Sequence, residues 1–177
     1  MTNTTTRTRR TAPATATLAA VALLALTGCS TFSDLGDSLS GSDTKEHSVD
    51  TGAEGKESQL LASWVPDDAS DVKVMQRTTG SERLLTFTHD GDLPADCTAI
   101  ATPGTPTEEE LAASYATDAR TADFPVEDWT TTPTLEAEWW PEGTIEGTTH
   151  LCGRWWVSTS GSTVYGFAAS QKIEPAS

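Results

Sequence analysis

Basic residues are scarce in this sequence. Among its 177 residues, 11 are Lys or Arg and 26 are Asp or Glu, so the formal net charge is −15. Nucleic-acid binding draws most of its affinity from Lys and Arg side chains that neutralise phosphates. The eight basic residues beyond residue 28 are spread thinly from Lys45 to Lys172. The composition therefore argues against nucleic acid as a partner.

A hydrophobic run long enough to span a membrane is also missing. The most apolar stretch, residues 12–27, has twelve Ala, Val or Leu residues in sixteen positions. A spanning helix needs about 20 apolar residues, so this stretch is a poor permanent anchor. Arg7, Arg9 and Arg10 precede it. A basic segment followed by a short apolar segment is typical of a signal peptide.

The apolar stretch ends in Leu26-Thr27-Gly28-Cys29 rather than in the small residues of an ordinary secretory cleavage site. This tetrapeptide resembles the lipobox of bacterial lipoproteins. The resemblance implies cleavage before Cys29 and acylation of its sulfur. Two or three acyl chains would hold the chain on a bilayer, because each buried methylene contributes about 0.8 kcal/mol. We therefore expect a signal peptide over residues 1–28 and attachment through Cys29 to the outer face of the cytoplasmic membrane.

Apolar residues are nearly absent from the next segment, residues 30–58, which is rich in Ser, Thr, Gly, Asp and Glu. Such a composition cannot bury enough surface to offset the entropy lost on ordering the chain. We predict that residues 29–58 are a lipidated, disordered, acidic tether. Residues 59–177 have the size of one domain and are predicted to form a globular unit.

Two helices are predicted in that unit. Leu60, Leu61 and Trp64 have the spacing of a short opening helix. A second helix is expected to begin near Thr107, whose hydroxyl can cap the first turn while the Glu110 side chain reaches back.

Strands are predicted to predominate elsewhere. The segments with strand-like patterns are 72–79, 82–89, 134–140, 148–159 and 163–170. The first two are separated by a short loop containing Gly80-Ser81, which suits a hairpin. The predicted fold class is α+β, with an antiparallel sheet of about five strands and one or two helices on one face.

Cysteine occurs only three times, and Cys29 is assigned to the lipid. The remaining pair, Cys97 and Cys152, predicts a disulfide, because an exported protein meets an oxidising environment. Closing a loop of about 55 residues stabilises a domain by roughly 4 kcal/mol. The alternative is a metal site made by Cys97, His150 and Cys152, since residues 150 and 152 point the same way on a strand.

Known catalytic motifs are absent: the sequence has no nucleophile elbow, phosphate-binding loop or metal-binding helix motif. Asp90, Asp92 and Asp96 lie close together but lack the spacing of a calcium loop, so an Asp-Gly turn is favoured. Glu136 and Glu138 share one predicted strand face and are expected to be solvated. We assign no catalytic residue, no metal and no cofactor.

Two tryptophan doublets, Trp139-Trp140 and Trp155-Trp156, are the least ordinary feature. Each is expected to place one indole on either side of a strand. If both sides are covered, the indoles belong to the core. If one side is open, they form a ligand surface for sugar rings or an aliphatic chain. The segments around the doublets resemble small uncharacterised lipoproteins of high-GC Gram-positive bacteria, a resemblance that implies no activity.

These features favour a non-enzymatic binding or accessory module of the cell envelope. Its partner would be a wall component, a lipid-like molecule or a membrane protein. The rival hypothesis is an envelope hydrolase that uses His89 or His150 with a nearby carboxylate, which requires these groups to converge in a cleft.

Overall fold

The computed structural model describes residues 43–172. The predicted signal peptide, the acylation site Cys29 and tether residues 30–42 lie outside the described residues, so their predictions stand as made. Among the described residues, no helix has the length and apolar character needed to cross a bilayer.

Seven strands form one antiparallel sheet, in the order β1-β2-β3-β7-β6-β5-β4. In chain order the elements are β1 (Thr44–Thr51), α1 (Gly52–Glu57), β2 (Ser70–Arg77), β3 (Arg83–Thr88), β4 (Cys97–Ala99), α2 (Glu108–Tyr115), a 3₁₀ turn (Val126–Asp128), β5 (His150–Cys152), β6 (Trp155–Ser160) and β7 (Thr163–Ala168). The α+β class and the antiparallel sheet are confirmed. The strand number is wrong, because β1 and β4 were not foreseen.

The predicted hairpin around Gly80-Ser81 is confirmed. Strands β2 and β3 pair antiparallel, with Gln76 opposite Arg83 and Met75 opposite Leu84. The other end of this pair contains a register shift at Asp71, whose φ is 52°. A residue in the left-handed region is typical of a bulge that bends a strand out of register.

The predicted strand over residues 148–159 is instead a hairpin of β5 and β6. Cys152 pairs with Trp155, which leaves only Gly153 and Arg154 in the loop. Gly153 has a φ of 60°, and a Cβ built on it would lie 3.0 Å from the Asp118 Cβ. A two-residue loop with a left-handed first position favours glycine there. The predicted strand over 134–140 is wrong, since no strand forms in that segment.

Both faces of the sheet are covered. Trp155, Val157 and Phe87 belong to the core on what we call the Trp155 face. Trp156 and Phe167 belong to the core on the opposite side, the Trp156 face. Central strands buried on both faces are expected to be apolar in a continuous run rather than in alternation.

The helices lie on opposite faces, so the prediction that helices cover one face is wrong. Gly55 of α1 approaches Leu61 and Val49, which pack against the core of the Trp155 face. Tyr115 and Leu111 of α2 pack into the core of the Trp156 face. The capping box at the start of α2 is confirmed, because Thr107 and Glu110 exchange both capping hydrogen bonds.

The predicted disordered tether is wrong for residues 44–57, which form β1 and α1. Strand β1 is an edge strand, and its backbone pairs with β2 along nearly its whole length. The backbone hydrogen bonds are independent of side-chain polarity, and an edge strand tolerates polar side chains. Gly52 then fits under the Pro66 carbonyl, where a Cβ would lie 1.8 Å from the oxygen.

The predicted opening helix at Leu60, Leu61 and Trp64 is also wrong. Gln59 has a φ of 60°, which turns the chain out of the helix α1, and residues 60–69 then form turns. The three apolar side chains pack against the core of the Trp155 face from this irregular segment. Their spacing therefore reflects a shared buried surface rather than helical periodicity.

A buried carboxylate fixes the irregular segment around residues 134–140. Glu82 accepts hydrogen bonds from the backbone N–H groups of Thr134 and Leu135, from the Thr134 hydroxyl and from the Arg77 Nε. Burial alone would raise the pKa of Glu82, but these hydrogen bonds together outweigh it and lower the pKa below its usual range. The charged form of Glu82 is therefore part of the folded structure.

Replacing Glu82 by Gln should lower the free energy of unfolding by about 3 kcal/mol at neutral pH, because buried donors lose a charged acceptor. Since the folded pKa is depressed, this contribution is present above the unfolded pKa of about 4.3 and is lost as the pH falls through the folded value. Denaturant unfolding of the wild type and of Glu82→Gln from pH 7 downward measures the difference between their free energies of unfolding. This difference should become smaller below about pH 4.

The exposed Glu136, in the segment that Glu82 anchors, provides the matched control. Glu136→Gln should change the free energy of unfolding by no more than about 0.5 kcal/mol. Equal effects of the two substitutions, or a difference that widens in acid, would contradict a structural role for the Glu82 carboxylate.

Candidate functional site

A cavity of about 510 Å³ lies beside the turn between β5 and β6. Its walls come from the turns after α1, the turn after α2 and the β5–β6 hairpin, with Arg83 from β3 and Asp96 from the loop before β4. We call it the arginine cavity. The residues that define it are Trp64, Arg83, Asp118, Arg120, Arg154 and Trp155.

Arg154 is the deepest of the three arginines, with 3% of its surface exposed. Its Nη1 donates hydrogen bonds to the carbonyls of Ser81 and Ala169, and its Nε lies 3.6 Å from a carboxylate oxygen of Asp118. Burial lowers the pKa of Arg154 to about 10; Asp118 opposes this effect, while nearby arginines add to it. Arg154 is therefore charged at neutral pH and held in place.

Arg83 and Arg120 carry the other two positive charges. Arg83 is half-buried, and its Nη1 donates to the Leu60 carbonyl at 2.9 Å. Burial, and then the charge of Arg120, lowers the pKa of Arg83. Within residues 43–172, no carboxylate lies within 4 Å of either guanidinium. Two arginines without ion pairs are unusual in so acidic a chain.

Two carboxylates also line the cavity. Asp118 faces Arg154, and its other oxygen accepts the backbone N–H of Arg120 at 2.9 Å. Asp96 is exposed, at the opening before β4. Three arginines against two aspartates leave the cavity lining with a net positive charge, whereas the chain as a whole carries −15.

The predicted disulfide is confirmed and forms part of the cavity wall. Cys97 and Cys152 are bonded, with their Cα atoms 4.2 Å apart and 55 positions separating them in the sequence. The bond joins β4 to β5, and Cys152 lines the arginine cavity. The alternative metal site with His150 is wrong, because each sulfur is occupied by the other.

Trp155 and Trp156 lie on opposite faces of β6, as predicted, and each is 4% exposed. The Trp155 ring packs edge-on against Trp64, at 5.8 Å between ring centroids. The Trp156 Nε1 donates to the Tyr115 hydroxyl at 3.1 Å. The first alternative, that both indoles are covered, is therefore right for this doublet. An open ligand surface is wrong for it, although Trp155 also lines the arginine cavity.

Trp139 and Trp140 are half-buried and lie in a turn rather than on a strand. The Trp139 Nε1 donates to the Glu46 carboxylate at 2.8 Å, and so attaches this turn to the edge strand β1. The Trp140 ring meets Tyr165 edge-on, at 5.9 Å between centroids. Both indoles pack against the core of the Trp156 face.

His89 and His150, the two candidate histidines, are brought to one cavity of about 290 Å³, together with Asp92. We call it the histidine cavity. The His89 Nδ1 lies 3.4 Å from a carboxylate oxygen of Asp68. The His150 Nδ1 shares a hydrogen bond of 2.9 Å with the Thr149 hydroxyl. The convergence that the hydrolase hypothesis requires is therefore present for His89.

The acidic candidates are dispersed: Asp92 lines the histidine cavity and Asp96 lines the arginine cavity. Asp90, Asp92 and Asp96 are exposed in the loop after β3, and Glu136 and Glu138 are exposed outside any strand. Among the described residues, no group of three or more His, Cys, Asp or Glu side chains is arranged to hold a metal ion.

None of the three arginines was predicted from the sequence as a site residue. Arg83 begins the apolar run Arg83-Leu84-Leu85, and Arg154 directly precedes a tryptophan doublet. A charged residue within a buried apolar run needs a partner, so the neighbours of these two arginines contained a usable signal. Arg120 lies in a polar segment and carried no such signal.

Comparison of the chain with protein-family models, curated proteins and solved structures finds no match.

Proposed function

We propose that this protein is a lipid-anchored binding module of the cell envelope, held on the outer face of the cytoplasmic membrane, and that it holds its ligand in the arginine cavity. The observation that carries the proposal is that Arg83, Arg120 and Arg154 converge there from three separate segments. Ligand sites are concave and combine apolar walls with a few converging polar groups. A cavity of about 510 Å³ falls within their usual size.

Two observations support the proposed location on the outer face of the membrane. The sequence supplies the basic segment, the short apolar stretch and the lipobox-like tetrapeptide ending at Cys29. The Cys97–Cys152 bond is of the kind that persists outside the reducing cytosol. A stably anchored domain would meet wall polymers, lipid-like molecules and the outer parts of membrane proteins, and its ligand is drawn from these.

Substituting Cys29 by Ser should abolish processing and acylation, because the lipid is transferred to a thiol. The wild-type protein should begin at Cys29 and carry the added mass of two or three acyl chains, whereas Cys29→Ser should retain residues 1–28. Intact mass spectrometry of protein extracted from membranes measures both. Cys97→Ser is the matched control and should be acylated as the wild type is. An identical mature mass for wild type and Cys29→Ser would refute the anchor.

Filling the cavity should abolish binding. Ala119 is exposed and lines the arginine cavity, whereas Ala122 is exposed and lies outside it. A low-molecular-weight fraction of the envelope should raise the melting temperature of the wild type and of Ala122→Trp by several degrees, since a ligand that binds only the folded state stabilises it. Ala119→Trp should not respond. An equal response of the two variants would place binding elsewhere.

A wall hydrolase is the second candidate, favoured by the histidine cavity. His89 pairs with Asp68, as a general base pairs with the carboxylate that orients it, and His150 and Asp92 line the same space. Water or the Thr159 hydroxyl would have to serve as the nucleophile, because the lining residues include neither serine nor cysteine.

The purified protein should release no soluble fragments from isolated wall polymer if the binding proposal is right. Reducing-sugar and free-amine assays measure such release. Turnover that His89→Gln abolishes would establish the hydrolase instead. His47→Gln is the control, because His47 lies on β1 and outside the histidine cavity.

A further inference from the structure

We infer that the arginine cavity binds an oxyanion, a carboxylate or phosphate group attached to a larger uncharged body, which Arg83 and Arg120 hold above the fixed Arg154. This inference rests on the proposed function, because it names the chemical class of the ligand for the same cavity. Both groups present two or more oxygens in a plane or face that a guanidinium can bind through two parallel hydrogen bonds.

The three arginines of the cavity are close enough to repel one another. Burial lowers the pKa of Arg83 and of Arg154, and the charge of Arg120 lowers both further. Such repulsion is costly in a partly buried site. Asp118 compensates Arg154, at 3.6 Å from its Nε. The exposed Asp96 is the other acidic lining residue. Within the described residues, Arg83 and Arg120 have no ion pair of their own, so a bound anion would relieve the repulsion between them.

The arginines of the cavity also have many unused hydrogen-bond donors. A guanidinium has five N–H donors. Arg83 uses one, toward the Leu60 carbonyl. The Arg120 side chain donates no hydrogen bond to any residue in 43–172, although the backbone N–H of Arg120 donates to Asp118. Most of the donors at the cavity are therefore available to one acceptor group, and carboxylates and phosphates are acceptors of matching charge.

Two residues of the cavity lining each contain a buried donor without a hydrogen bond. The Arg154 Nε and the Trp64 Nε1 are buried, and neither has a hydrogen-bond partner within the described part of the chain. Arg154 is 3% exposed and Trp64 is 6% exposed. Buried donors are almost always satisfied, because an unsatisfied one is destabilising. Both residues line the arginine cavity, so the side chains around a ligand there include two buried donors whose hydrogen-bonding capacity is unused.

The size of the cavity indicates a ligand larger than a bare oxyanion. A volume of about 510 Å³ far exceeds that of a bare oxyanion, since one water molecule occupies about 30 Å³ in the liquid. Leu61, Ala62 and Ser63 supply a wall without charge. The ligand therefore carries its charge at one end, toward the arginines, and an uncharged part such as a sugar ring or glycerol toward this wall.

The test compares charged and neutral members of matched pairs on the mature protein in detergent. Glucuronate is compared with glucose, and glycerol 3-phosphate with glycerol, at constant ionic strength. Binding is followed by tryptophan fluorescence and by melting temperature. Within at least one pair, the charged member should bind and its neutral partner should not. The responding pair identifies the source of the oxyanion as a sugar acid or a phosphate.

The variants locate the binding. Arg120→Gln should weaken it by about tenfold or more, the loss expected when a charge-assisted hydrogen bond is removed. Arg120 is exposed, so this variant should fold. Arg83→Lys keeps the charge but loses the planar fork, and should also weaken binding. Lys73→Gln removes an exposed positive charge outside the cavity and should leave binding unchanged.

Two results would overturn the inference. Equal weakening by Arg120→Gln and Lys73→Gln would show a general effect of net charge. No response to either anion, combined with stabilisation by an uncharged envelope fraction that Ala119→Trp abolishes, would show a neutral ligand. The second result would leave the proposed function intact, whereas a failure of the proposed function would appear as an equal response of Ala119→Trp and Ala122→Trp to the envelope fraction.

Discussion

Both cores and the arginine cavity depend on the two-residue turn at Gly153 and Arg154. The turn pairs Cys152 with Trp155, and this register decides which face each following side chain occupies. Trp155 therefore enters one core and Trp156 the other. The same pairing brings Cys152 against β4, where it meets Cys97. A Cβ at Gly153 would combine a φ of 60° with an approach of 3.0 Å to Asp118, so glycine is required there.

Glu82 and Arg154, the two buried charged residues in the described part of the chain, have different surroundings. Glu82 accepts four hydrogen bonds, one of them from Arg77, with which it also forms an ion pair, so its carboxylate is fully used in fixing the 134–140 segment. Arg154 is equally buried, yet its Nε is without a hydrogen bond within residues 43–172. Glu82 therefore serves the fold, whereas one hydrogen-bond donor of Arg154 remains unused beside the cavity.

Local patterns were sufficient to predict the β2–β3 hairpin, the capping box at Thr107 and the Cys97–Cys152 bond. Each depends on a short signal: two strand-like runs around a turn, a threonine three residues before a glutamate, or two cysteines in an exported chain. The sequence could not reveal β1, because its polar residues are held by backbone pairing with β2, whose partner residues are 19 to 33 positions away along the chain. Nor could it reveal the cavity, because Arg83, Arg120 and Arg154 meet only through the tertiary fold.

The acidity of the chain restricts how an anion can reach this cavity. At physiological ionic strength, charges are screened beyond about 8 Å, so most of the distant carboxylates contribute little to the field inside the cavity. An anion that approaches the outer surface comes within this distance of the surface carboxylates, which repel it and slow its approach. The attraction therefore acts only at short range, where Arg83 and Arg120 are nearest. A site of this kind selects a ligand that places its charge within hydrogen-bond distance of the guanidinium groups and fills the remaining volume with uncharged atoms. A polyanion would place further negative charges near the exposed Asp96, which is unfavourable.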